Sequence, residues 1–164
     1  MRTGMMALMA KSIRHQMPYD ASVEEVASML DDPAFREEVC RAQRAVRHDV
    51  RIDGDDVRID QWLPTAGVPS FARKIVGEET NLVVTETWTS PTEADLTYEI
   101  PGKPGEIHGT LKLTPSGDGA VKTVDLTVKV GVPLVGGKLE DLIADLITKA
   151  MQVEHRTGID YLSR

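Results

Sequence analysis

From Ala45 to Val130 apolar side chains recur at every second position, interrupted by turn residues and one irregular stretch. After Lys138 the period becomes that of a helix. Alternation sustained this long predicts short antiparallel strands that share one apolar face, and the amphipathic helix that follows is the element able to cover it. Val46, His48, Val50 and Ile52 lead into Asp53-Gly54, a strong hairpin signal, and Val57, Ile59, Gln61 and Leu63 run back. "LPTAGVPSF" breaks the pattern, and "FARKIVG" is less regular up to a turn at "GEETN". Three further runs and a fourth follow: Leu82 to Trp88, Leu96 to Ile100, Ile107 to Leu113, and Val124 to Val130. "SPTEA", "PGKPG" and "PSGDG" turn the chain between them, which reads as a meander.

An earlier strand precedes these. Ile13, His15 and Met17 alternate with Arg14 and Gln16 until "PYDAS". Ser22 with Glu25 then forms a capping box for a short helix carrying Val23, Val26, Met29 and Leu30. "DDPAFREEV" starts a second, with Asp32 as cap and Pro33 in its first turn. The chain closes on a helix over roughly 138–157, with Leu139, Leu142, Ile143, Leu146, Ile147, Ala150 and Val153 on one stripe.

The junction "VKVGVPLVGGKLEDLI" resembles a phosphate-binding loop, with a strand, glycines and a lysine in order. That loop needs G-x-x-x-x-G-K-[ST], so that backbone N–H groups cradle phosphate and a hydroxyl reaches Mg²⁺. Gly131 to Lys138 is one residue too long, and Leu139 stands where the hydroxyl belongs. Pro133 and Gly136-Gly137 are instead expected to turn the chain from sheet into helix, with positive φ at a glycine. Asp53, Asp55 and Asp56 lack the later ligands of an EF-hand loop. The four histidines, 15, 48, 108 and 155, have no metal-ligand spacing, and no G-x-S-x-G nucleophile signal occurs. No metal, cofactor or catalytic residue is assigned.

Composition narrows the partners. A net charge of −7 with a pI of about 5.1 argues against a nucleic-acid partner, which requires a basic face, and disfavours an anionic membrane surface. At 164 residues with 41% hydrophobic content, the chain is long enough to bury a sizeable core as one domain over residues 11–163. Residues 1–10 read as a disordered leader with too short an apolar run for a signal peptide, which implies a cytoplasmic protein. The single cysteine, Cys40, lies in an apolar-periodic stretch and reads as a buried structural thiol. Aromatic content of 4% means that any pocket is lined mainly by aliphatic and Met side chains.

Several polar residues share the inward phase of the strands: His15, His48, Gln61, Glu86 and Tyr98. Glu154 and Tyr161 lie on or near the helix stripe. Singly, each is explained as a satisfied core group. Together they suit a cavity better than a dry core, since an unpartnered buried polar group costs about 1–3 kcal/mol.

A first strand, two short helices, an antiparallel sheet and a long helix after a Pro/Gly turn resemble the helix-grip fold. This is the START/birch-pollen-allergen/polyketide-cyclase (SRPBCC) superfamily. "VKVGVPLVGGKLEDLI" with "EHRTGIDYL", "DDPAF" and "TETW" resemble, more narrowly, a bacterial family of unknown function within it, over residues 11–163. The resemblance implies an α+β domain in which a curved antiparallel sheet of six to seven strands wraps the C-terminal helix. It also implies a cavity for an apolar or amphipathic small molecule. The family brings no ligand or catalytic residue to carry over.

Three functions follow as expectations. The first is binding or carriage of a hydrophobic, lipid-like molecule. The second is a polyketide cyclase or dehydratase type of enzyme using His15, His48 or Glu86 as acid or base. The third is a collapsed cavity and a protein partner. The expected ligand site has a floor of Val84, Trp88, Tyr98, Leu111, Leu126 and Val128 and a lid of Leu139, Ile143, Leu146, Ile147 and Ala150, with Glu86, His15 and Tyr98 as polar contacts. Oligomeric state, monomer or weak dimer, is not legible.

Overall fold

A computed structural model describes residues 10–164. All but the last residue of the expected leader lies outside them. Along the chain come β1 (Lys11–Tyr19), α1 (Val23–Leu30), α2 (Pro33–Ala42), β2 (Arg47–Asp53), β3 (Asp56–Pro64) and α3 (Ser70–Val76). They are followed by β4 (Glu79–Ser90), β5 (Glu93–Glu99), β6 (Glu106–Ser116), β7 (Gly119–Lys129) and α4 (Gly136–Leu162). The strands form one seven-stranded antiparallel sheet in the order β1-β7-β6-β5-β4-β3-β2. This is the antiparallel meander and closing helix expected from the periodicity, in the α+β helix-grip arrangement that the resemblance implies.

Local chemistry accounts for the element ends. The Ser22 hydroxyl accepts from the Glu25 N–H at 3.1 Å while the Glu25 carboxylate accepts from the Ser22 N–H at 3.2 Å, closing the capping box. Asp32 caps α2 by accepting from Ala34 N at 2.9 Å, and Pro33 takes the first position, where no N–H is needed. Pro18 falls within β1, an edge strand, where a missing donor is tolerated. The stretch "SFARKIV" forms α3, a third short helix that alternation-based reading does not anticipate. Pro69 precedes it, and Gly77 stops it with φ of +88°.

The sheet-to-helix turn departs from expectation in one respect. The left-handed residue is Leu134, with φ of 70° and a fully exposed side chain, rather than either glycine. Gly136 is needed for proximity: a Cβ there would lie 2.7 Å from the Val130 carbonyl oxygen, whereas at Gly137 it would meet nothing. Glu140 then reaches back to accept from Val130 N at 2.8 Å, tying the first turn of α4 to the end of β7.

Helix α4 packs mainly on β1 and β7 and against α1 and α2, rather than centrally over the sheet. Leu139, Ala144, Ile147 and Met151 are its buried apolar residues, and Phe35, Met17, Met29, Leu30, Leu111, Val124 and Val128 are fully buried beneath and beside it. The inner faces of β2 and β3 are less covered: Val50, Ile52, Ile59 and Leu63 are only half-buried. No helix among the described residues is long and apolar enough to cross a membrane.

Candidate functional site

The off-centre seat of α4 leaves a cavity of about 50 Å³ between the sheet and the helical layer. Apolar walls come from Val39 and Cys40 of α2, Ile59 of β3, Leu82 and Val84 of β4, Leu96, Leu111 and Val124 of β5–β7, and Ala150 and Met151 of α4. Period-two alternation puts the strand residues on this face, and a shared helix face does so for Ala150, Met151 and Glu154.

Set into these walls are two ion pairs, one buried and one partly buried. Arg36, on the inner face of α2 beside Phe35, grips Glu86 of β4 with both terminal nitrogens, at 2.7 and 2.8 Å, and donates from Nε to the Leu30 carbonyl at 2.7 Å. Both side chains are 3% exposed. The Trp88 indole N–H completes the group, donating to Glu86 at 3.0 Å. Burial alone would raise the Glu86 carboxyl. The guanidinium and its hydrogen bonds, with Lys122 and the indole, hold it below the ordinary carboxylate range instead. On the far wall Lys122 of β7 pairs with Glu154 of α4 through a short hydrogen bond.

A chain of amides runs through the lining of the cavity. Gln43, just past α2, donates to the Ala150 carbonyl at 3.0 Å, and Gln61 of β3 donates to the Gln43 side-chain oxygen at 3.2 Å. The Gln61 oxygen is buried without a partner. Tyr98 belongs to the lining as well, and burial raises its pKa above the usual phenol value.

Of the residues expected to form the site, Val84, Glu86, Tyr98, Leu111 and Ala150 come together around this cavity. The structure sets the others apart from its lining. Leu126, Val128, Leu139 and Ile147 are buried in the core, and Ile143 is half-buried against it. Leu146 is 42% exposed, because α4 sits toward β1 and β7 and turns this flank outward. Trp88 reaches the cavity only through Glu86, while its ring lines an open surface depression of about 460 Å³ shared with Ala27, Asp31 and Asp55.

His15 points inward from β1, but its Nε2 is buried and unpartnered away from the cavity lining. Burial, then the neighbouring His155 charge, lowers its pKa. His48 is half-buried on the edge strand β2. Tyr161 donates to Asp32 and closes the α2–α4 contact. Cys40 is the buried thiol expected, its pKa pushed up by burial to about 11.

Sequence reasoning missed Arg36, Gln43 and Lys122. A signal existed for two of them. Lys122 shares the phase of Val124, Leu126 and Val128, and Arg36 lies on the helix face of Phe35, Val39 and Cys40.

Known proteins resemble this chain at two levels. The uncharacterized protein Rv0481c of Mycobacterium tuberculosis is 26% identical over 90% of this chain and 94% of its own. Among solved structures, TTHA0849 from Thermus thermophilus superposes with a TM-score of 0.65 at 17% identity, covering 92% of this chain and 95% of its own. The Zhui aromatase/cyclase from Streptomyces sp. R1128 superposes at 0.68 and 9%, covering 94% of each chain. Ara h 8.0201 superposes at 0.66 and 13%, covering 94% of this chain and 99% of its own. At such identities these structures establish a shared fold. The model of the family described as "Protein of unknown function (DUF2505)" matches residues 14–162, nearly the whole chain, and the protein therefore belongs to that family, with a helix-grip fold shared with these solved structures.

Proposed function

We propose that the protein binds an amphipathic small molecule, its polar end in the cavity between sheet and α4 and its apolar tail along the adjoining half-covered surface. The observation that carries this reading is the placement of a polar cluster, with an unpartnered Gln61 oxygen, around a cavity whose other walls are aliphatic. Ligand pockets usually measure about 300–1,000 Å³. A volume of about 50 Å³ suits a head group alone. The tail has a path. Leu146 and Leu142 continue the helix face of Ala150 by one and two turns, and half-buried Ile59 and Leu82 line the cavity with Ala150 from the sheet side. Both Val84 and Leu111 floor the head site, while Leu146 serves the tail.

The enzymatic alternative, a cyclase or dehydratase, draws support from the fold shared with an aromatase/cyclase. The candidate bases do not favour it. Glu86 is held ionised and fully engaged by Arg36 and Trp88, and His15 lies off the cavity. General acid–base chemistry needs a titratable group within reach of a bound substrate.

The test uses tryptophan emission. In a Trp62→Phe variant the remaining indole, Trp88, is coupled to the cavity through Glu86. Titration with a long-chain alcohol, a long-chain acid and a long-chain amine should shift its emission with at least one of them. Absence of binding by all three, checked by calorimetry, would overturn the reading.

A further inference from the structure

The polar groups around the cavity are balanced in charge but not in hydrogen bonds, and the imbalance specifies a ligand. Arg36 faces Glu86 and Lys122 faces Glu154, so two cations meet two anions. A charged head group entering here would find no unmatched counter-charge. It would be buried as an excess ion, which costs several kcal/mol.

The hydrogen-bond count differs. The Ala150 carbonyl can only accept, so Gln43 must turn its NH₂ toward it and keep its oxygen for Gln61. Gln61 must in turn present its NH₂ to that oxygen. Its own oxygen is thereby committed to the role of unused acceptor, in a residue 5% exposed that lines the cavity. Also in the lining, from β7 of the same sheet, the Lys122 ammonium carries three N–H donors, and among the described residues its hydrogen-bond partner is Glu154 alone. The cavity lining thus offers an unused acceptor and unused donors, in a site of zero net charge.

Resting on the binding function proposed above, we infer that the ligand's head group is an uncharged hydroxyl, donating to the Gln61 oxygen and accepting from Lys122, so that the protein selects long-chain alcohols over acids or amines. A hydroxyl supplies one donor and two acceptor lone pairs, which a carboxylate and an ammonium do not. The aliphatic walls set the rest of the class: a saturated or isoprenoid chain rather than a stacked aromatic system.

The experiment compares lauryl alcohol, laurate and laurylammonium by isothermal calorimetry on the unaltered protein at about pH 8, where the last two are charged. The alcohol should bind at least about tenfold more tightly than either ion, since an unmatched buried charge exceeds the 1.4 kcal/mol that tenfold represents. Gln61→Leu should weaken the alcohol about three- to tenfold, the value of one hydrogen bond, and leave any laurate binding unchanged. If Gln61→Leu does not fold by circular dichroism, Gln61→Met gives the same comparison with an unbranched chain. Laurate or laurylammonium binding as tightly as the alcohol would overturn the head-group assignment while sustaining the binding function. Failure of all three to bind would overturn the function itself.

Discussion

At the residue scale the Arg36–Glu86 pair decides how the interior behaves. Removing one partner of a buried pair strands the other, at a cost of about 3–5 kcal/mol, whereas replacing both by apolar side chains is often neutral. Glu86→Gln should therefore lower the urea-unfolding free energy by about 3 kcal/mol or more, and Arg36→Met with Glu86→Leu should recover most of that loss. The pH response has a defined sign. The folded pKa of Glu86 lies below its unfolded value, the ordinary 4.5, because Arg36, Lys122 and the Trp88 indole overcome burial. Its contribution is thus present above about pH 4.5 and is lost as pH falls toward the folded value. Urea midpoints measured from pH 7 down to pH 3 should show that loss in the wild type and a shallower one in the double variant. Equal slopes would remove Glu86 from the account.

The inward phase of Glu86, Gln61 and Tyr98 was legible, because side-chain direction in a strand depends only on parity. Their partners were not. Arg36 lies 50 residues from Glu86, and Lys122 lies 32 from Glu154, so each pairing is a product of topology. Charged residues at apolar positions, such as Lys122 among Val124 and Leu126, are the trace that such pairs leave in a sequence.

At the element scale, the start of α4 separates two roles that glycine can play. Neither Gly136 nor Gly137 has positive φ; Leu134 does. Gly136→Ala forces a Cβ against the Val130 carbonyl, while Gly137→Ala meets open space and gains helix propensity. The first should lower the melting temperature, and the second should leave it unchanged or raise it by up to about 1 kcal/mol equivalent. Equal destabilisation by both would contradict the turn geometry. Amphipathic periodicity located α4 and its apolar stripe, but a stripe does not state which strands it will cover. The contacts with β1 and β7 bury Leu139 and Ile147 and leave Leu146 exposed. The short helix α3 was missed for a related reason: at seven residues it spans too few turns to impose a period against the surrounding alternation.

At the scale of the whole molecule, strand number and helix order followed from alternation and turn chemistry, because those are local. Cavity volume did not. It results from how far α4 sits from the centre of the sheet and from ion pairs that occupy space a dry core would fill. Whether this space receives an amphipathic ligand is read by native mass spectrometry of protein purified from the organism that produces it, then repeated after incubation with lauryl alcohol. The expected spectrum is an 18.0 kDa polypeptide carrying one small-molecule adduct that leaves on collisional activation, in the purified protein or after incubation. The bare polypeptide mass in both spectra would contradict it.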